Sequence, residues 1–556
     1  MARRGGGRSR PHAKPGRAGP GMTAYDETFD YIVVGAGSAG CVLAARLSES
    51  GRAVLLLEAG PEDRNPWIHV PLGYGKLFKD ASVNWLYESE PEAELDGRRI
   101  VQPRGKVLGG SSSINGLIYM RGQREDYDHW RQLGNTGWGF DDVLPYFKRA
   151  EDQTRGADAY HGVGGPLAVA DQAETHPVCD AFIHAALEAG LPRNDDFNGA
   201  VQEGAGYFQT TSRRGRRCST AVGYLKPARR RPNLKVVTHA LAFRVLFEER
   251  RAAGVEWRQH GATFAAGARA EVILAGGAFN SPQLLELSGV GSLERLRPLG
   301  IAVVHDAPEV GANLQDHLQV RLMLRCRQRV TFNDDMATLA GRLRIGLRYV
   351  LARKGPLTVS AGYAGAFFRT DARLATPDIQ VHFLLFTTDK MGEKLHTFPG
   401  FTASVCQLRP ESRGSVHARS ADPTQPPEIR PNYLSAELDR RTIVAGLRML
   451  RRILAQPAMA PFLEAELDPG PEVEDDAGLL AHCRRRGGTI YHPSGTCRMG
   501  PDPRAVVDAR LRVNGVRGLR VVDGSIMPTL VSGNTNAPIV MIAEKASAMI
   551  QADARA

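Results

Sequence analysis

The sequence predicts two fold classes in one chain: an α/β domain built on a parallel sheet, and an α+β domain with a mostly antiparallel sheet. Three observations carry this. Phe29–Val34 is an apolar run suited to a buried strand; a glycine-rich turn, an amphipathic segment and a second apolar run, Ala53–Leu57, follow it. That order is a βαβ unit, which requires parallel strands. Buried-strand character returns at Glu271–Ala275 and Arg520–Asp523. Between about 320 and 480 the pattern changes to strand-like segments such as Ile379–Phe386 and Thr402–Leu408, punctuated by turns such as Arg409-Pro-Glu-Ser-Arg-Gly414, as expected of antiparallel strands with flanking helices.

The elements follow in order. Residues 2–21 hold six basic residues and no acid among many Gly and Pro, a composition expected to be disordered. Arg3-Arg4 precedes no apolar stretch, so it does not make a twin-arginine signal, and Met22 offers an alternative start. The net charge of +11 owes much to this tail: without it 65 basic residues face 60 acidic ones, and a nucleic-acid-binding reading rests on the tail alone. Residues 1–25 are therefore set apart as a disordered basic tail. In the segment running on to Ser50 the residues Ala39, Val42, Leu43 and Leu47 share one helical face, and Gly51 closes the helix. A last helix is expected from near Asn536 through Ala548. The expected division is 26–160, 215–318 and 485–556 for the α/β domain, with 161–214 and 319–484 for the substrate-binding domain.

Composition excludes several classes. The chain has 556 residues, 42% hydrophobic, enough for roughly three or four average domains or two large ones joined closely. Seven cysteines (41, 179, 218, 326, 406, 483 and 497) are scattered without C-x-x-C pairs. They form neither a disulfide framework nor a zinc signature, so no metal is expected and a reducing compartment is the simpler assumption. No apolar run reaches about 18 residues, so no membrane-spanning helix is expected.

The turn after the first strand, Gly35-Ala-Gly-Ser-Ala-Gly40, has the G-x-G-x-x-G spacing of a Rossmann-type dinucleotide site. Gly35 allows the tight turn, Gly37 lets backbone approach a pyrophosphate, and Gly40 lets the helix pack on the sheet. Phosphates would sit at the helix N-terminus. Glu58, ending the second strand, is placed to accept bonds from an adenosine ribose. This fingerprint does not separate FAD from NAD. A second fingerprint and a G-x-S-x-G elbow are both absent from the sequence.

Three further blocks make the sequence resemble the glucose–methanol–choline (GMC) oxidoreductases from about residue 26 onward. They are Gly105-Lys-Val-Leu-Gly-Gly-Ser-Ser-Ser-Ile-Asn115, Gly277-Ala-Phe-Asn-Ser-Pro-Gln-Leu-Leu-Glu-Leu-Ser-Gly-Val-Gly291, and Tyr491-His-Pro-Ser-Gly-Thr-Cys-Arg-Met-Gly500 with Arg520–Pro528 and Gly533-Asn-Thr-Asn-Ala-Pro538. Alone, residues 105–115 read equally as an ordinary Gly/Ser loop. The likeness is greatest to choline-dehydrogenase-like and alcohol-dehydrogenase-like members.

The resemblance implies an extended FAD. It places Ser38 and Ala39 by the pyrophosphate, Glu58 by the ribose, and Val107, Gly110, Ser111, Asn115 and Gly116 beside the flavin. It also sets Ala242 at adenine through its backbone and Asp523 near the ribityl and pyrophosphate. Ile114 stands where some choline oxidases carry a flavin-linking His, which implies non-covalent FAD. His492 matches the family's catalytic histidine, and histidine suits the task because its ordinary pKa leaves it largely neutral in the cell. Asn536 is matched to the second catalytic position, although an Asn before Ala537-Pro538 also serves as a helix N-cap.

The implied reaction is oxidation of a primary alcohol, aliphatic or aromatic, to an aldehyde, with choline as the alternative substrate and hydroxynitrile lyase chemistry as a less favoured reading. The implied partners are the small-molecule alcohol and a quinone or other electron acceptor. Localisation is expected in the cytoplasm, with peripheral contact at the inner face of the membrane as a candidate. Tyr491 is a candidate face for a quaternary ammonium, and His382, Phe383 and Phe386 are expected to offer an apolar lining.

Overall fold

The structure is a computed structural model that describes residues 25–390 and 392–555. Most of the expected disordered tail lies outside the described residues. Its last residue, Tyr25, is described, and its ring lies against the sheet at Gly267, where an added Cβ would come within 2.9 Å of it.

Two sheets organise the chain. In the first, the strand order is Leu234–Val237, Val54–Leu57, Glu27–Val34, Ala262–Leu274, Arg251–Gln259 and Leu241–Glu248, with Leu519–Val521 also paired to Ala262–Leu274. Glu27–Val34 runs parallel to both Val54–Leu57 and Ala262–Leu274, as the βαβ reading requires. Val54–Leu57 is buried at all four positions, which is why it carries no alternation. Helix Ser38–Ser48 covers this sheet and packs against the C-terminal helix Asn536–Asp553. That helix runs five residues beyond the expected end. Thr535 holds its cap position, so Asn536 is its first helical residue and not its cap.

The second sheet is antiparallel, in the order Leu463–Asp468, Leu318–Cys326, Gly400–Gln407, Ile379–Leu384, Ala364–Phe368 and Gly204–Tyr207. Its two faces follow from the period-2 alternation of strands. Leu318, Val320, Leu322 and Leu324, with Phe401, Ala403, Val405, Ile379, Val381 and Phe383, face a core shared with helix Glu437–Leu454. Gly446 lets that helix approach closely, since a Cβ there would lie 2.8 Å from Ile379 Cδ1. The alternate residues, Gln319, Arg321, Ser404, Gln380 and His382, are left for the opposite face.

Two boundaries differ from those expected. Leu167–Val169 packs into the core of the first sheet, although 161–214 was assigned to the second domain. Gly488–Thr489 still pairs with Leu318 and Gln319, so the chain returns to the first domain later than residue 485. Neither crossing is marked by a change in composition.

Candidate active site

One long cavity lies between the two sheets, running from the G-x-G-x-x-G turn to His492. At its first end each glycine has a distinct geometry. Gly35 takes φ +98°, and a Cβ there would sit 2.6 Å from the Ala275 carbonyl oxygen. A Cβ on Gly40 would lie 1.8 Å from the Gly35 carbonyl oxygen, so only glycine lets the helix close on the turn. A Cβ on Gly37 would meet only Ala275 O, at 3.9 Å, so this backbone is open to a ligand. No side chain caps the helix that begins at Ser38. Its first N–H groups therefore remain available to an anion, and Ser38 and Ala39 line the cavity.

Glu58 is buried and accepts from the N–H groups of Ala36 (2.9 Å) and Gly60 (2.9 Å). Burial pushes its carboxyl up to about 7, against those two bonds and the charge of Lys106. Each oxygen keeps a lone pair for a ribose hydroxyl. Ala242 lines the same end. Asp523 lines the cavity further along. It ties two segments together, accepting from Gly277 N–H (2.8 Å), Ser281 Oγ (2.6 Å) and Ser525 N–H (2.8 Å).

The 105–117 loop lies over the turn. Gly110, at φ +51°, approaches so closely that a Cβ would sit 2.6 Å from Gly37 Cα. Ser111, Ile114, Asn115 and Gly116 line the cavity. Val107 does not: it is fully buried in an apolar cluster with Ile68, Leu77 and Val83. Asn115 Oδ1 accepts from Leu117 N–H (3.1 Å) and from Arg217 Nη1 (2.6 Å). The sequence reading missed Arg217. It is buried, its pKa is lowered to about 9 by that burial, and it also donates to the carbonyls of Ile68 (2.7 Å) and Ser112 (3.2 Å). It therefore clamps the loop from behind.

At the far end His492 is held by an unusual backbone. Tyr491 takes φ +74°, a costly conformation for a non-glycine residue. It is fixed by Arg104 donating to its carbonyl (2.9 Å), by Thr489 Oγ accepting its N–H (2.7 Å), and by Asp316 Oδ1 accepting the His492 N–H (2.8 Å).

The side-chain hydrogen bonds then determine the tautomer. His317 Nε2 lies 2.9 Å from the Leu408 carbonyl, so it must donate. His317 Nδ1 is then an acceptor and takes a bond from His492 Nδ1–H at 2.9 Å. His492 Nε2 is left with a lone pair facing the cavity, where Asn534 Nδ2 donates to it at 3.1 Å. Gln380 Nε2, donating to Asn534 Oδ1 at 3.2 Å, fixes which way that amide points. Burial first, and then electrostatic opposition from the neighbouring His317, His382 and Arg104, holds the His492 pKa well below the ordinary imidazole value. Burial likewise lowers His317, to about 4.

The structure thus corrects one assignment. Asn536 lines the cavity, but its Oδ1 accepts from Ser38 Oγ (2.8 Å) at the start of the first helix. The amide on His492 belongs to Asn534, two residues earlier. Asn534 sits in the loop before the helix, whereas Asn536 is already in its first turn and is turned towards Ser38. His317 was missed as well; only its adjacency to Asp316, in a strand-opening Asp-His pair, marks it in the sequence. Phe383, expected to line the substrate region, faces the helix side of its sheet, and His382 alone of the three expected residues lines the cavity.

The donor set fits one kind of ligand: a pyrophosphate at an uncapped helix start, a ribose diol at Glu58, and a flat ring along a Gly/Ser/Asn loop that ends at a base. Comparison with known proteins agrees. Models of the GMC oxidoreductases match residues 29–319 and 410–543. An alcohol dehydrogenase (acceptor) of Pseudomonas putida is 46% identical over 530 residues, spanning 94% of this chain and 95% of its own. The mitochondrial choline dehydrogenase of Mus musculus is 45% identical, spanning 94% and 90%. Among solved structures, pyridoxine 4-oxidase from Mesorbium loti superposes with a TM-score of 0.85 at 33% identity, over 93% of this chain and 98% of that one. Formate oxidase of Aspergillus oryzae gives 0.89 at 26%, over 96% and 100%. The chain belongs to the GMC oxidoreductases, a family of FAD-binding enzymes.

Proposed function

We propose that the protein oxidises a primary alcohol to an aldehyde, with His492 as the base. The observation that carries this is the unprotonated Nε2 of His492, turned into the cavity beside Asn534. An alcohol oxygen seated between them would donate its proton to His492 Nε2 and accept from Asn534 Nδ2. The His317–Leu408 chain holds the imidazole in the tautomer that can take that proton. FAD, when bound, supplies the hydride acceptor for the carbinol carbon. The C-terminal helix begins at the cavity with no side-chain cap, and its N-terminal dipole favours negative charge there. Ile114 presents no nucleophilic atom to the cavity, which supports non-covalent FAD.

The test is an anaerobic panel of alcohols read at the flavin absorbance. A primary alcohol should bleach the flavin, and acid precipitation of the enzyme should leave the flavin in the supernatant. Failure of every alcohol to bleach it would sink the oxidation reading and leave the lyase alternative. Flavin that stays with the precipitate would sink the non-covalent one.

A quinone is the acceptor we favour, reached at a membrane surface. No helix among the described residues is long and apolar enough to cross a membrane. Helix Leu339–Ala352 supports surface contact instead. Leu339, Leu343, Leu347, Val350 and Leu351 are 58–81% exposed. Residues 339–354 also carry Arg342, Arg344, Arg348, Arg353 and Lys354 and no acid, the pattern of a helix lying in an anionic interface. The turn that follows, Pro356–Thr358, packs on Pro71–Gly73, next to the cavity-lining Tyr74.

The enzyme should therefore co-sediment with vesicles containing anionic lipid, and the triple variant Leu343→Asp, Leu347→Asp, Leu351→Asp should stay in solution with its flavin. Burial of each leucine is worth about 1.5–3 kcal/mol, so the loss should exceed tenfold. Equal sedimentation of variant and parent would remove this helix from the account.

A further inference from the structure

Resting on the alcohol-oxidising reading above, we propose that Arg321 and His382, set either side of the buried Ser404, form an oxyanion subsite and that the substrates are primary alcohols bearing a carboxylate. The three residues share one row of the second sheet: Arg321 pairs with Ser404, and Ser404 with His382. Directly paired residues point to the same face, and here it is the face away from the helix core. Arg321 and His382 both line the cavity. His382 is 4% exposed, and neither of its ring nitrogens has a hydrogen-bond partner among the described residues; the same holds for Ser404 Oγ. Buried polar groups are almost always matched, so His382 and Ser404 stand out; the half-buried Arg321 guanidinium beside them makes no hydrogen bond or ion pair within the described residues. Two donors left unmatched on a cavity wall, Arg321 and His382, are what a bound acceptor would satisfy.

The charge balance selects the acceptor. The carboxylates lining the cavity are Glu58 and Asp523, both at the dinucleotide side and both engaged by backbone N–H groups. The His492 end is lined by Arg104 and Arg321 and no acid; the carboxylate behind it, Asp316, is occupied by the His492 N–H, Thr489 Oγ and Tyr433 Oη. Arg104 is committed to the carbonyls of Pro103 and Tyr491; Arg321 is not committed. Such a pocket attracts an oxyanion and repels a quaternary ammonium. Burial and the neighbouring His317 push His382 down to about 3, so the imidazole is neutral and donates from one nitrogen.

Spacing sets the size. Gln380, which holds Asn534, lies two residues from His382 on the same strand, about 7 Å along the sheet. The hydroxyl and the oxyanion are then separated by roughly the length of one aromatic ring. Tyr74, Phe78 and Tyr491 also line the cavity, with Phe78 and Tyr491 edge to face at 5.3 Å.

The test compares kcat/KM of the holoenzyme for 4-(hydroxymethyl)benzoate, its methyl ester and choline, using an artificial acceptor. A charge-assisted bond supports a preference of at least about tenfold for the carboxylate over the ester, and choline should be the poorest of the three. In Arg321→Met the carboxylate-to-ester ratio should fall to about one, and in Arg321→Lys part of it should return, with FAD content and melting temperature checked in both. An ester or choline that matches the carboxylate in the parent enzyme overturns the subsite, as does a ratio that survives Arg321→Met. An enzyme that oxidises only neutral alcohols keeps the proposed function while losing this inference; one whose flavin no alcohol bleaches loses both.

Discussion

Replacing His492 by alanine should slow flavin reduction by alcohol by about 10²–10⁴-fold, the usual contribution of a positioned general base, while FAD remains bound. Retention is expected because the groups that fit the dinucleotide lie elsewhere, at the turn from Gly35, at Glu58 and in the 105–117 loop. The side chain removed makes two bonds, to His317 Nδ1 and Asn534 Nδ2, and the backbone clamp on Tyr491 and His492 uses main-chain atoms that alanine keeps.

The pH profile supplies a second readout. The base is active when neutral, so activity is lost as pH falls through its pKa. That pKa is held below the ordinary 6.5, so the acid limb in the parent enzyme should lie below pH 6.5 and vanish in His492→Ala. Reduction at the parental rate would overturn the assignment. So would an equal loss of FAD and activity, which would mark His492 as structural.

How much of this was legible beforehand depends on what kind of contact made each feature. The βαβ unit was plain because every link is local: Phe29–Val34, the glycine turn and Val54–Leu57 lie within thirty residues. Individual glycines followed from the motif, since only glycine satisfies the Gly35 and Gly40 geometries. His492 was singled out through a motif, but the amide that bonds it was not, because Asn534 and Asn536 differ only in which side of a helix start they occupy. His317 reaches His492 across 175 residues of sequence, and no local pattern reports that. The second sheet illustrates a different loss. Gln319-Val-Arg321, Gln380-Val-His382 and Ala403-Ser404 already show alternation, but alternation says that two faces differ without saying which faces a core and which a cavity. For that reason Phe383 was taken as lining and Arg321 was passed over.

Arg121→Leu should destabilise the protein by about 3–5 kcal/mol, because it leaves a buried carboxylate without its main counter-charge. Arg121 and Glu151 are 1% and 0% exposed and ion-paired. Arg121 also donates to the Tyr160 carbonyl (2.6 Å) and Tyr119 Oη (3.0 Å). Glu151 accepts further bonds from Gln153 Nε2 (3.1 Å) and Gly162 N–H (3.1 Å), and His161 bridges it to Asp196 at 3.0 and 2.9 Å. Leucine fills the volume and satisfies none of this. Among the described residues, His161 is then the remaining cation bonded to the cluster. Its burial opposes the charge, but the bonds to Asp196 and Glu151 prevail and raise its pKa to about 9. A raised histidine pKa contributes stability that is fully present below about 6.5 and is lost as pH rises through about 9.

The deficit of the variant should therefore be smaller near pH 6 and widen towards pH 9.5, read as denaturant-unfolding free energy against pH. A constant deficit below 1 kcal/mol would show that the pair is dispensable. The effect should reach the site, since the neighbouring Met120 packs so closely on Gly533 that a Cβ there would lie 2.5 Å from its Cγ, and Gly533 carries Asn534. Slower alcohol oxidation in a variant that still folds would then come from the same buried charge that sets its stability.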